Sequence, residues 1–508
     1  MTTARVRKRT KVMGALAALT LLVLTLAAAC GGSSESKQLG PAFTLHRSLS
    51  SPVLHYRPAK LVVTVVDGDH STRVRGAVVD LWNRRAITDA HGVVQIRVPG
   101  RRNLNVTVSA HGFSTRTVAE RFEEFRKVTV RVFRPDLQWP IYGATATRSQ
   151  SQTHIRLRPP FKIVWSLGLG GLIEFPAVVD DGVAYIGNAQ GRLYAVSMRF
   201  GKVIWRHDTP HGKMASSPAV IGDAVVYHTM DGHVFVLDRA TGVPLHQYSV
   251  GSPIESSPIV RRGIDYFGAW NGRLYALDLR TFRLRWSRAL GAKITSSASI
   301  AGDTLYIGDY GGRVWALSAV TGRTRWVRSV NGRVYGTPAV LGGRVFVPSS
   351  TGGSLTAFST RGAFLWRVRT GSYVYSSPAA WGGRVFFGSY NGLFYAVSAA
   401  TGRIMWRVGT GGPISGAAVA VDGVAYAGSF SHHIVGVDAR SGRVLLRFGH
   451  GHYVPVSGNG MRLLFHGYSR LYAVEPRTIL TLHRRPHPHR AVTRIPASTH
   501  RHLRPTGR

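Results

Sequence analysis

Hydrophobic positions along this chain do not recur at a helical period. They come in short bursts broken by glycine and polar turns, which predicts strands. Over residues 161–478 the bursts repeat as one unit of about forty residues. A Trp-bearing run, Val203-Ile204-Trp205-Arg206-His207, is followed by the small-residue run Ser216-Ser217-Pro218-Ala219-Val220-Ile221. The aliphatic run Ala224-Val225-Val226-Tyr227-His228-Thr229 comes next, and then Val234-Phe235-Val236-Leu237-Asp238, closing before Ala240-Thr241-Gly242. Aligned units give the column Trp165, Trp205, His246, Trp286, Trp326, Trp366, Trp406, Leu446, spaced by forty residues with a single step of forty-one. Four short strands per unit, joined by tight turns, describe the blade of a β-propeller and exclude the helical solenoids.

Small-residue strands begin near Phe175, Ser217, Ser257, Ser297, Thr337, Ser377, Ala417 and Pro455, so eight blades are expected. The outer strands reach the same number only if residues 162–166 are counted. That strand precedes the first blade and has to complete the last one, whose own chain runs out after Tyr472-Ala473-Val474. Joining strands from both ends of the repeat removes exposed sheet edges. The expected fold is therefore all-β, an eight-bladed ring closed by its N-terminal strand. Trp165, Trp205, Trp286, Trp326, Trp366 and Trp406 read as structural: a flat ring lies between blades and its N–H seeks a backbone acceptor on the next one. Asp238, Asp278 and Asp438 precede turns in which a short acid binds turn N–H groups and glycine takes a positive φ.

The run Leu274-Tyr275-Ala276-Leu277-Asp278 with Arg285-Trp286, together with Ala240-Thr241-Gly242, resembles the repeat of PQQ-type propellers. That family includes quinoprotein alcohol dehydrogenases and cofactor-free lipoproteins such as the B component of the outer-membrane β-barrel assembly machinery. The resemblance implies the fold and leaves two functions open. One is a scaffold without cofactor; the other is a dehydrogenase of alcohols or sugars that uses pyrroloquinoline quinone over calcium.

Outside the repeat the chain divides further. Residues 1–29 carry Arg5, Arg7, Lys8, Arg9 and Lys11 before the uncharged stretch 12–29, as a secretory signal does. The single cysteine, Cys30, follows Leu26-Ala27-Ala28-Ala29 and resembles the lipid-attachment site of a bacterial lipoprotein, although leucine is commoner where Ala27 stands. An uncleaved signal anchor is the other reading of the same stretch. Either way an exported chain tethered to the extracytoplasmic face of the cell membrane is expected. Residues 30–60 read as a flexible tether. Residues 61–134 alternate as strands, with Thr88-Asp89-Ala90-His91-Gly92 as a turn, and are similar to transthyretin-like, carboxypeptidase-regulatory-like β-sandwiches. Residues 135–160 read as a linker, and 479–508, rich in Arg, His and Pro, as a disordered basic tail.

Charge adds a partner class. Lys and Arg number 65 against 24 acids, a net +41, and only nine of the cations are Lys. An Arg-rich, Lys-poor balance reflects a GC-rich genome as readily as a ligand, yet such a surface collects polyanions. For an exported chain these are anionic wall polymers, lipid headgroups or acidic envelope proteins; nucleic acid is not expected, and a monomer is.

Candidate chemistry is thin. Glu174, Asp231, Glu255 and Asp309 are placed toward one channel mouth but fall in different blades, without a calcium-like grouping. No catalytic, cofactor or metal residue is assigned. The candidate binding rim is Trp270, Tyr310, Tyr390, Phe430 and Tyr468 between second and third strands, with Tyr335, Tyr375, Tyr453 and Arg333 on the loops entering inner strands and Lys213 and Lys293 nearby. Aromatic and Arg side chains dominate binding surfaces. Rings repeated at one position also seal blade junctions, and the sequence leaves both roles open. The expected function is a membrane-anchored, non-catalytic scaffold; the alternative is the quinone-dependent dehydrogenase.

Overall fold

The computed structural model describes residues 59–98, 103–121, 125–209, 212–453 and 455–477. Cys30, the leader 1–29, nearly all of the tether and the basic tail lie outside them. Apart from one 3-10 turn, Pro135–Leu137, the regular structure of the described residues is strand.

The first part is a β-sandwich. One sheet orders Val93–Val98, Ala59–Asp67 and Phe125–Val132, the last two running parallel. The other orders Arg84–Ile87, Val78–Leu81, Asn103–Ser109 and Arg116–Arg121. Alternating residues of both sheets, among them Leu61, Val63, Val79, Val106 and Val130, meet in one core. The turn at Asp89 forms as its chemistry dictates: Oδ1 accepts from the His91 and Val93 N–H groups, and Gly92 has φ +66°.

Eight sheets follow among the described residues, the first starting at Val178–Asp180. The second is representative: Ala219–Ile221, Ala224–His228, His233–Asp238 and Pro244–Ser249 pair antiparallel in chain order. In the last sheet Val456–Gly458, Leu463–His466 and Arg470–Pro476 are joined by Phe161–Gly168, antiparallel to Arg470–Pro476. Most successive sheets touch along their short inner strands, and the first inner strand also touches Val456–Gly458.

The Trp column explains how sheets adhere. Trp165, Trp205, Trp286, Trp326, Trp366 and Trp406 each donate Nε1–H to a carbonyl of the next sheet, at Met198, Arg239, Ala319, Thr360, Ala399 and Ala439, over 2.9–3.2 Å. Each ring also lies on the glycine of the next sheet's turn. At Gly242, with φ +73°, a Cβ would sit 2.5 Å from Trp205. The third-strand alanine faces the Trp across the ladder, as Ala276 faces Trp286, and the register slips there, a bulge that turns the large ring toward its neighbour. Where the column reads His246, the next turn carries Phe282 at φ +53° in place of glycine, and the two rings stack at 3.9 Å. The large and small partners have exchanged places.

Residues 135–160 are not the spacer their composition predicts. Trp139, Tyr142, Arg148 and the stretch 149–152 are buried. The segment runs inside the ring and pairs with inner strands: Trp139 with Val179, Pro140 O with Val220 N, Ala146 O with Ile300 N, Thr147 O with Val340 N, Ser149 O with Ala380 N and Gln150 O with Ala420 N. Ser151–Gln152 then adds parallel to Ala420–Val421. Six inner strands therefore lend it backbone partners, which a chain of Gln, Ser and Thr needs in order to be buried.

Candidate functional site

Each inner strand enters the channel through a loop that hydrogen-bonds the loop after the preceding sheet's or its own second strand. Met230 N donates to Lys213 O, Trp270 N to Pro253 O, Tyr310 N to Lys293 O, Ser350 N to Arg333 O, Tyr390 N to Tyr373 O and Phe430 N to Pro413 O. This repeated bond puts both loop sets on one face and assembles a mouth.

All the rim residues expected from sequence meet there. Lys293 Nζ lies 3.1 Å from the centre of the Trp270 ring and 5.1 Å from that of Tyr310, and the Arg333 guanidinium stands 5.6 Å from Tyr310. Tyr335 contacts Tyr375 at 5.4 Å, Tyr375 contacts Tyr390 at 5.0 Å, Tyr390 contacts Phe430 at 5.9 Å and Phe430 contacts Tyr453 at 4.9 Å. His452 carries the arc on to Tyr468. Trp270, Tyr373 and Tyr468 are exposed, His452 is buried, and the other rings are half-buried.

Glu255 anchors one end of the arc. It is buried, and its two oxygens accept from Trp270 Nε1 at 3.1 Å and Tyr335 OH at 2.5 Å. Burial raises its carboxyl above the usual range against those hydrogen bonds, and burial also raises the Tyr335 phenol, beside the Glu255 charge. Glu174 pairs with Lys213 at 3.2 Å. Asp231 and Asp309 lie in the mouth loops, beside Met230 and Tyr310, but their carboxylates bind within their own blades. Asp309 is fully buried and accepts from Trp315 Nε1, and Asp231 accepts from Thr229.

Below the arc a belt of hydroxyls follows five consecutive inner strands at the same forty-residue spacing, from Ser217 to Ser377. Backbone N–H groups of Ser217, Ser257, Ser297 and Thr337 donate to the hydroxyls of Ser257, Ser297, Thr337 and Ser377, over 2.9–3.2 Å. Tyr142 of the internal segment donates its OH to Ser377 and closes the floor. Under it the Arg148 guanidinium donates to the carbonyls of Tyr142, Ser257, Pro258 and Ala298. Burial pushes it down to about 10, and it stays charged at neutral pH.

On the opposite face the sandwich meets the ring. Phe133 packs on Gly182, Arg116 lies 3.9 Å from Asp181, and buried Asp69 accepts from Arg134 N–H and Gln138 Nε2. Burial raises Asp69 to about 6, outweighing those bonds.

The family model described as outer membrane protein assembly factor BamB matches residues 161–300, 271–373 and 351–478. The chain belongs to this family of PQQ-type repeats. Over 81 residues it is 30% identical to outer membrane protein assembly factor BamB of Bordetella pertussis, covering 16% of this chain and 21% of that protein. It spans less than a quarter of the curated relatives it matches, 23% and 21% of their lengths. BamB from Moraxella catarrhalis is similar in structure, with TM-score 0.55 at 18% identity over 63% of this chain and 99% of that one. So is quinohemoprotein alcohol dehydrogenase from Comamonas testosteroni, with TM-score 0.58 at 14% identity over 68% and 81%. At such identities the likeness is of fold, and an assembly factor and an oxidoreductase share it.

Sequence reasoning passed over Tyr142, His452 and Tyr373. Tyr373 occupies the column of Lys293 and Arg333 and was open to discovery. Tyr142 lies outside the repeat, so no alignment of units points to it.

Proposed function

We propose that this chain is an exported, lipid-anchored, non-catalytic scaffold that grips an envelope protein or an anionic wall polymer at the channel mouth. In this reading Cys30 carries the lipid, the sandwich is a carboxypeptidase-regulatory-like spacer, and the ring has eight blades stitched shut by Phe161–Gly168. The observation that carries it is the continuous arc from Trp270 to Tyr468, flanked by Lys293 and Arg333. Rings with cations at their edge suit hot-spot contacts to a partner. Membership of a family described by an assembly factor supports a partner-binding role.

A calcium-bound quinone fits this channel poorly. The carboxylates near the mouth are already held, Glu174 by Lys213 and Glu255 by Trp270 and Tyr335. Among the described residues no group of three His, Cys, Asp or Glu is arranged to hold a metal ion. The donors of buried Arg148 are engaged by carbonyls and do not face a quinone carboxylate.

The test is affinity recovery of partners from detergent-extracted envelopes, with the intact chain and with Trp270→Ala, Tyr310→Ala and Tyr390→Ala combined. The scaffold reading expects the recovered species to be lost in the variant. Undiminished recovery removes the mouth from the account.

A further inference from the structure

Between the arc and the Tyr142 floor the channel holds a cavity of about 330 Å³. That is at the low end for small-molecule sites. Its walls and floor differ in chemistry. Tyr335, Tyr375, Tyr390, Phe430 and Tyr453 supply rings from successive blades. The floor supplies hydroxyls: those of Ser297, Thr337 and Ser377 each accept a backbone N–H and keep a hydrogen to donate. Glu174 brings a carboxylate to the edge. A ligand that satisfies all of these has an apolar face and a hydroxyl-bearing edge.

We infer that the cavity is a carbohydrate subsite for one or two pyranose rings of an acidic glycan. The C–H face of a ring lies on Tyr375 and Tyr390, its hydroxyls meet the floor hydroxyls and Glu174, and an acidic substituent reaches Arg333 and Lys293. Other ligands leave part of this site unmatched. A quaternary ammonium suits a box of rings, but Lys213, Lys293 and Arg333 stand at this mouth and oppose a cation. A flat aromatic group fills the box and leaves the floor hydroxyls facing apolar surface, which forfeits their hydrogen bonds. Among the described residues Lys293 feels the charge of Glu255 without an ion pair within 4.0 Å, and Arg333 has no ion pair within that distance, so its guanidinium stays open to an acid on the ligand.

This inference rests on the reading of the mouth as a binding face and narrows it from protein or polymer to polymer. The experiment is calorimetric titration of the purified chain with two disaccharides. One is the neutral β-1,4 dimer of N-acetylglucosamine; the other carries N-acetylmuramic acid, and hence one carboxylate, at its reducing end. Both should bind saturably, the acidic one more tightly. Tyr375→Ala and Tyr390→Ala should weaken both by about three- to tenfold, as loss of one ring contact does. Tyr375→Phe, which keeps the ring, should stay within about twofold. Arg333→Gln combined with Lys293→Gln should abolish the preference for the acid; a preference that survives the double variant overturns the acidic assignment. Absence of saturable heat with either sugar overturns the inference. If the mouth variant still loses its envelope partner in that case, the scaffold reading stands alone; if it does not, both fall.

Discussion

The lower and upper halves of this one channel are built on opposite principles. Below, the chain fills its own ring: Arg148 donates to four carbonyls and residues 139–152 take backbone partners from six inner strands. Above, the lining is side chain, the rings touch mainly one another, and Lys293 and Arg333 lie over ring faces. What repeats every forty residues serves cohesion: the Trp–carbonyl bond, the glycine beneath it, the hydroxyl belt. What breaks the repeat marks the mouth, where the second-to-third-strand loops carry Ala189 and Met230 on one side and aromatic residues on the other. Structural demand recurs in most blades, whereas a ligand touches the blades unequally.

The largest effect should come from emptying the lower half. Arg148→Met leaves four buried carbonyls without a donor and should lower unfolding free energy by about 4 kcal/mol, read by chemical denaturation. A loss under about 1 kcal/mol would mean the segment is a passenger in the channel.

Next is the blade junction that departs from the others. His246→Trp sets an indole against Phe282 where the other junctions offer glycine, and overpacking should cost about 1–3 kcal/mol. Phe282→Gly with His246→Trp rebuilds the common junction and should recover most of that loss, a coupling seen in the double-mutant cycle. Additive losses would show that the two positions do not exchange roles.

At the mouth the order of effects reverses. Tyr390→Ala should cost about 1 kcal/mol of stability, because its ring is only half-buried, while partner recovery drops severalfold. A large stability loss with unchanged recovery would return these rings to junction sealing.

The smallest effect is a pH contrast. Burial depresses His452 to about 4, beside His432, so over roughly pH 4 to 6.5 the unfolded chain binds the extra proton and acidification weakens the mouth. Asp69 on the sandwich side is raised to about 6, so between its ordinary value and 6 the folded chain holds the proton and acidification strengthens that junction. Hydrogen exchange at pH 5 and pH 7 should show faster opening around His452 and slower opening around Asp69 at the lower pH.

The repeat, the outer-strand Trp, the turn acids and most of the aromatic rim, Tyr373 and His452 excepted, were legible because each recurs at a fixed offset, and a fixed offset becomes a fixed place once blades stack. The internal segment was not legible. Its Gln, Ser and Thr look like a solvated linker until six neighbouring strands supply partners, a fact of tertiary structure alone. The His246–Phe282 exchange was half visible, since His246 stood out in its column while its partner lay in the next unit.

The most direct measurement is site-specific photo-crosslinking in the native envelope, with the reactive side chain at exposed Tyr468 of the mouth or at exposed Phe364 on an outer strand. The scaffold account predicts a discrete cross-linked species from position 468 and none from position 364. Equal capture from both positions, or capture from 364 alone, contradicts it.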